Sequence, residues 1–330
     1  MKNLLIVIIG LFLSEAMLQA QTDTMFVMKA GVVINKQSIK LADVDSVIFY
    51  KPVNFNPRSN IQIALIPAGM FTMGSPVSEV GRNTDETQFV VTLSAFSMSK
   101  YDITNAQFAA FLNAKNIGRY GLYPAGAYPT QTLIYDCNVV SGGARNFGLL
   151  YSGTQWTPVA GYENNPVIDV TWYGATCFAT YVGGTLPTEA QWEYACRAGT
   201  TTPFYTGTCL TNLQAKYDWS HPYGSCTNTV TFSPAVSMPV GTYPANNYGL
   251  YDMLGNVFQW CADWYGTYPT TNYPTTVQNN PTGPVSGLYR VVRGTYWAAY
   301  AQNCRSALRQ FHDPLAINYD RVGFRVVFLP

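Results

Sequence analysis

Charge is what this 330-residue chain has least of: Asp, Glu, Lys and Arg make up 11% of it, against roughly 25% in an average soluble protein. That excludes helical bundles and coiled coils, which need charged side chains on their solvated faces. A formal net charge of +1 supplies no field for nucleic acid or for an acidic membrane surface. Histidine is scarcer still, and His221 with His312 are too few for a His-based metal centre. G-x-S-x-G, the P-loop, H-E-x-x-H and G-x-G-x-x-G are all missing, so the commoner hydrolase, nucleotide and zinc-protease sites have no basis here. No two cysteines stand at C-x-x-C spacing. No apolar run reaches the roughly 20 residues that cross a bilayer, so no transmembrane segment is expected.

What is plentiful points to a compact, loop-rich fold. Aromatic residues reach 15%, with 24 Tyr, 17 Phe and 7 Trp, beside 27 Gly and 20 Pro. This supplies ample surface for a core and argues against disorder. Met1-Lys2-Asn3, the apolar run Leu4 to Leu13 and Leu18-Gln19-Ala20 have the layout of a secretory signal peptide over residues 1–20, cleaved after Ala20. The expected location is exported: periplasm, cell surface or secreted. In an oxidising compartment the seven cysteines are disulfide candidates, and the odd number leaves at least one over. Cys209 and Cys226 bracket a polar loop that they would close. Cys137 and Cys177 read as small buried hydrophobes.

Along the chain, residues 24–52 alternate apolar and polar, which predicts short strands in a small N-terminal β-unit with its linker over residues 21–55. A single main domain follows over residues 56–330. Inside it, Thr104 to Leu112 has a cap ahead of an apolar stripe. Thr171 to Val182 has helical spacing too, and a further Thr-capped turn starts at Pro187-Thr188 and runs to Tyr194. Gly118 to Pro166 carries almost no periodicity, as in long functional loops.

Four segments in fixed order are more specific. They are Ile66-Pro67-Ala68-Gly69-Met70-Phe71-Thr72-Met73-Gly74-Ser75 with Lys100-Tyr101-Asp102-Ile103-Thr104-Asn105, and Leu186-Pro187-Thr188-Glu189-Ala190-Gln191-Trp192-Glu193-Tyr194. After them come Asn247-Tyr248-Gly249-Leu250-Tyr251-Asp252-Met253-Leu254-Gly255-Asn256-Val257-Phe258-Gln259-Trp260, and Arg290 to Gly294 with Cys304-Arg305-Ser306-Ala307 and Gly323-Phe324-Arg325. Together they closely resemble the formylglycine-generating enzyme (sulfatase-modifying factor) family. The resemblance implies an α+β fold of the C-type lectin kind, with little regular structure, two helices and large ordered loops. Trp172, Trp192, Trp260 and Trp264 would be core anchors whose ring N–H groups need partners. Gly249, Gly255 and Gly323 would mark positive φ or close packing. Glu189 and Arg325 would form a buried pair.

The family's oxygenases hold copper on two thiolates, a soft-ligand site. The matching region, Thr295 to Arg305, has one cysteine here, Cys304, so a copper site is not expected. The resemblance instead places Cys304 in a structural disulfide with Cys196. For calcium, a hard cation that takes six to eight oxygens, it implies a loop with Asn256 and the Val257 carbonyl. Gln259 there replaces a charged Glu and weakens the site.

The C-terminal segment also resembles variable proteins of diversity-generating retroelements, which are rewritten at template adenines. A frame of Arg293-Gly294, Trp297, Cys304 to Ala307, Arg309, Pro314 and Gly323-Phe324-Arg325 alternates with Tyr296, Ala298, Ala299, Tyr300, Leu308, Phe311, His312, Asp313, Leu315, Ala316, Ile317 and Tyr319. Each of those twelve residue types has a codon reachable from AAC or AAT by changing adenines alone, whereas Gln310 does not. Clustered Tyr, Phe, His, Leu and Ile in a loop suit a binding face. The expectation is an exported, non-catalytic protein whose surface over residues 296–319 recognises a protein or glycan on another surface. The rivals are a copper-dependent oxygenase of cysteine peptides and a cell-envelope scaffold.

Overall fold

A computed structural model describes residues 25–29, 32–34, 46–49, 57–137, 147–267, 277–315 and 321–330. The chain divides into two units, residues 1–59 and 60–330. In the first, β1 (Met25–Lys29) lies between β2 (Val32–Ile34) and β3 (Ser46–Phe49) in an antiparallel sheet, with Val27 opposite both Ile34 and Val47. The expected signal peptide over residues 1–20 lies outside the described residues.

The second unit is built from short strands in small sheets. β4 (Ile63–Ile66) pairs with β7 (Phe96–Ser99), and β5 (Gly69–Met73) pairs with β6 (Phe89–Leu93). β8 (Leu149–Tyr151) and β9 (Trp156–Pro158) form a hairpin inside the stretch that lacks periodicity. Four strands form the sheet that carries the C-terminal segment: β10 (Phe258–Trp264), β12 (Arg290–Arg293), β13 (Gln310–His312) and β14 (Val322–Gly323), in the order β13-β12-β10-β14. The short β11 (Gln278–Asn279) joins β6, and β15 (Val327–Phe328) joins β7. Among the described residues no helix is long and apolar enough to cross a membrane.

The family resemblance implies two helices; among the described residues there are three, α1 (Asn105–Ala114), α2 (Trp172–Tyr181) and α3 (Glu189–Arg197). Each starts at a threonine. Thr104 and Thr188 form reciprocal capping boxes with Gln107 and Gln191, and Thr171 accepts the Gly174 N–H. A box satisfies two N–H groups that the first turn leaves unpaired. α3 is separate from α2 because Gly183-Gly184 and Pro187 interrupt the run. A side chain at Gly184 would meet the Val327 carbonyl at 2.5 Å.

Phe108, Phe111, Phe178 and Phe324 pack ring to ring beneath α1 and α2. A second cluster gathers Trp192, Met73, Phe96 and Tyr217 around α3. Three of the four expected tryptophan anchors are buried with partners for their ring N–H. Trp172 donates to the Cys261 carbonyl (2.8 Å), Trp192 to Gln259 Oε1 (2.6 Å) and Trp260 to the Val170 carbonyl (3.0 Å). Trp264 differs. It is half-buried, and the Arg290 guanidinium is held between its ring (3.4 Å) and that of Trp172 (3.7 Å). Gly255 has φ 77°, and a Cβ there would lie 2.1 Å from the Lys216 carbonyl. Gly323 has ordinary φ, but its Cβ would stand 2.7 Å from the Val167 carbonyl.

Several of the charges of this chain are turned inward. Glu189 and Glu193 stand one turn apart on α3 and face the same arginine. Arg293 reaches Glu189 at 3.0 Å through Nη1 and Glu193 at 2.5 Å through Nη2. Glu193 also accepts from Arg197 and from the Gly74 N–H, both at 2.9 Å. Arg309 grips Glu189 with two nitrogens, at 2.7 and 2.9 Å. Arg305 forks onto Glu86 and reaches Glu79 at 2.7 Å. The expected Glu189–Arg325 pair is not formed. Arg325 instead holds Gln259 Oε1 (2.8 Å) and pairs with Asp102 at 3.5 Å, because Arg293 and Arg309 already occupy Glu189.

Removing one partner from such a network leaves an uncompensated buried charge, so Glu193→Gln is expected to cost about 3–5 kcal/mol. Chemical denaturation measures that loss. A loss below about 1 kcal/mol, the range of exposed pairs, would show that the network does not hold the core together.

Candidate functional site

The described members of the predicted binding set lie between β12 and β13, on β13 and just after it, and the two strands pair with Val291 opposite Phe311. Side chains alternate along a strand, so neighbours in β13 diverge. Phe311 projects to one side of the sheet, where it meets Tyr265 (4.4 Å between ring centroids) and Tyr289 (5.0 Å). His312 projects to the other side, edge-on to Phe258 (5.5 Å) and Trp260 (6.3 Å). Tyr296 also lies against Phe258, under the Arg321 guanidinium (4.3 Å). Tyr300 is apart from both, stacked 3.8 Å from His221, which bonds Asp218. The ring-bearing positions among the described ones, Tyr296, Tyr300, Phe311 and His312, therefore fall into three groups and not one face.

Their burial divides them further. Ala298, Tyr300, Phe311 and Asp313 are exposed, while Tyr296, His312 and Leu315 are half-buried. Ala299 and Leu308 are core residues, contrary to expectation. Ala299 is drawn in because its carbonyl accepts the Asp218 N–H (2.8 Å), and Leu308 because its neighbours Ala307 and Arg309 are both anchored inside. Ala316, Ile317 and Tyr319 lie outside the described residues. Burial and the Arg321 charge push His312 down to about 4, so it is neutral at pH 7.

The Phe311 group has the richest chemistry. Phe311 (40% exposed), Tyr289 (42%) and Leu288 (81%) present an apolar surface. Beside it runs a groove of about 460 Å³, lined by Arg82, Asn83, Asp85, Tyr265, Arg309 and Phe311 among others. Its geometry is fixed from beneath. Tyr265 Oη donates to Asp85 Oδ2 (2.6 Å), and the Arg309 guanidinium lies 4.9 Å from the Tyr265 ring. Aromatic faces next to carboxylate, amide and guanidinium groups can hold a ligand that is apolar on one side and hydrogen-bonding on the other. The sequence reading missed Tyr265, Tyr289 and Asp85. They come from three separate segments, and their one local signal was the Leu288-Tyr289 pair just ahead of β12.

The expected metal and disulfide roles are not realised. Cys209 and Cys226 are bonded, as their loop predicts. Cys196 and Cys304 remain separate buried thiols. Cys196 faces Ser306 Oγ (3.6 Å) and the Met253 carbonyl, whereas Cys304 faces the Tyr300 carbonyl (3.8 Å). Burial pushes Cys196 up to about 11 and Cys304 higher still, so neither offers a thiolate. One sealed thiol does not fit a two-thiolate copper site. The calcium set is also diverted. Asn256 Oδ1 accepts the Met238 N–H (2.8 Å), and Gln259 Oε1 accepts from Trp192 and Arg325 while its amide donates to the Asp252 carbonyl (2.9 Å). Val257, between them, is wholly buried. No cluster of three or more His, Cys, Asp or Glu suited to a metal occurs among the described residues.

Small sheets, three capped helices and loops around a buried arginine frame define a domain of the formylglycine-generating-enzyme kind. The chain belongs to the sulfatase-modifying factor enzyme 1-like domain family, which it matches over residues 51–329. It is 33% identical over 264 residues to serine/threonine-protein kinase pkn1 of Chlamydia caviae, covering 80% of this chain and 37% of that one. It is 30% identical over 289 residues to the formylglycine-generating enzyme of Mus musculus, covering 82% and 75%. The chain thus spans little more than a third of the kinase-named relative. PvdO from Pseudomonas aeruginosa superimposes with a TM-score of 0.57 at 25% identity, over 81% of this chain and 93% of that one. Treponema denticola variable protein 1 does so with 0.50 at 23%, over 82% and 95%, a likeness of fold alone.

Thiol titration in denaturant checks the cysteine assignment. Five free thiols are expected in an unreduced preparation, and none reactive while the protein is folded. A count of three would restore the Cys196–Cys304 bond.

Proposed function

We propose that this is an exported ligand-binding protein, not an oxygenase, and that its ligand is a protein or glycan on another surface. The observation that carries this reading is the pair of exposed rings, Phe311 and Tyr289, packed with half-buried Tyr265 beside a polar groove. Aromatic anchors of this sort supply contact area at little cost in side-chain entropy. The rival draws on the relatives named formylglycine-generating enzyme. Against it stands the region from Thr295 to Arg305, which holds a single thiol, sealed in the core.

Probing a printed array of glycans and surface proteins tests the face. Phe311→Ala and Tyr289→Ala are each expected to reduce capture at least tenfold, with stability changing by less than about 1 kcal/mol. Unchanged capture would remove this face from the reading. Formylglycine formed from a cysteine-containing sulfatase peptide by the copper-treated protein would reinstate the oxygenase.

One observation favours a diversified version of the binder. Exposed Ala298, Tyr300, Phe311 and Asp313 are interleaved with buried Arg293, Trp297, Cys304, Arg305 and Arg309, so several positions can change without touching the frame. Sequencing the gene and its flanks across one population is expected to show a near-copy of codons 293–325 that differs at adenines, next to a reverse transcriptase. An invariant segment without such a copy leaves a binder of fixed specificity.

A further inference from the structure

A second concavity lies on the other side of Arg309, and the binding reading above makes no use of it. It has a volume of about 320 Å³, at the lower end of small-molecule sites. Met73, Phe89, Ala190 and Pro284 make its walls largely apolar, while Asp263, Glu189 and Arg309 bring charge to it. The two charged partners are already engaged. Glu189 is held by Arg293 and Arg309, and Arg309 spends its remaining nitrogens on the Gly266 carbonyl (3.0 Å) and the Asp85 carbonyl (3.3 Å).

Asp263 is the exception. It is 5% exposed, and its Oδ2 accepts the Glu189 N–H (2.9 Å) at the start of α3. No ion pair reaches it within 4 Å among the described residues. Gly283, which also lines the cavity, packs against the other carboxylate oxygen of Asp263, where a Cβ would stand only 3.0 Å away. A carboxylate so placed is removed from water beside a second carboxylate, with no cation at ion-pair distance among the described residues.

The geometry points to this cavity as a binding site for a small organic cation, an ammonium head with a short apolar body, for which Asp263 is the counter-ion. The head group meets the carboxylate, and the body lies against Met73, Phe89 and Pro284. An anion finds little there, because the Arg309 fork is occupied by Glu189 and two carbonyls. A neutral molecule gains the apolar contacts without the ion pair.

Ligand and proton then compete for the same group. Burial first, and next the Glu189 charge, push Asp263 up to about 7, while Arg309 draws it down less. Cys261 on its own strand and Arg290 on β12 also feel its charge. A cation requires the ionised form, so affinity is full above about pH 7 and falls about tenfold for each unit below it.

The test is titration calorimetry of the full-length protein with n-butylammonium and, as the uncharged isostere, n-butanol. At pH 8 the ammonium is expected to bind at least tenfold tighter than the alcohol, and that preference is expected to vanish by pH 5. Asp263→Asn, which keeps the acceptor for the Glu189 N–H, is expected to abolish the preference. Phe311→Ala leaves it intact, so failure of the aromatic face and failure of this cavity are distinguishable. Should Asp263→Asn not fold, the pH series on the unaltered protein still decides. Equal binding of ammonium and alcohol at pH 8, or a preference that does not weaken with acid, overturns the proposal.

Discussion

The guanidinium of Arg293 is the interaction on which the rest of this structure depends. It joins two carboxylates of α3 to β12, and through them it ties that helix to Gly74 and to the Arg309 end of β13. Such an arrangement costs heavily in desolvation and is retained only where hydrogen bonds satisfy nearly every donor and acceptor. That condition limits what the surrounding loops can do. Ser306 and Ala307 must present carbonyls to Arg293, so the segment between β12 and β13 is fixed at its C-terminal end however its exposed residues vary.

The same frame sets the two concavities. Arg309, clamped by Glu189, holds the strand two residues before Phe311 and separates the aromatic groove from the cavity at Asp263. Rigid support beneath exposed rings is what lets a loop-rich fold present a defined surface, because the entropy of ordering is met by the frame before any ligand arrives. Asp263 contrasts with its neighbours. Glu189 and Glu193 are paired with arginines, whereas Asp263 accepts backbone N–H groups and has no ion pair within 4 Å among the described residues.

Local signals in the sequence were reliable where the physics is local. The caps ahead of α1 and α3 and the Cys209–Cys226 loop closure follow from short stretches of chain, whereas the ring partners of Trp172, Trp192 and Trp260 come from distant segments. The site was less legible. Phe311 was named, but its companions Tyr265, Tyr289 and Asp85 come from distant segments, and the strand alternation that sends His312 away from Phe311 depends on β13 being a strand at all. Pairing errors had one origin. Glu189 was assigned to Arg325, and Cys196 to Cys304, from proximity of motifs in a family pattern, and neither pairing took account of the competitors already present in space.

By itself, the sequence determined that this chain folds around aromatics with few charges, that it carries the motif order of its family, and that the region from Thr295 to Arg305 has one thiol. Composition, capping and residue identity are properties of short stretches, so they need no partner to be read. The tertiary structure alone decided which arginine meets which carboxylate, which of the nine described C-terminal positions face solvent, and that Gln259 serves Trp192 and Arg325. Those outcomes are competitions among groups far apart in the chain, and only the packed core settles which group arrives first at a given buried charge.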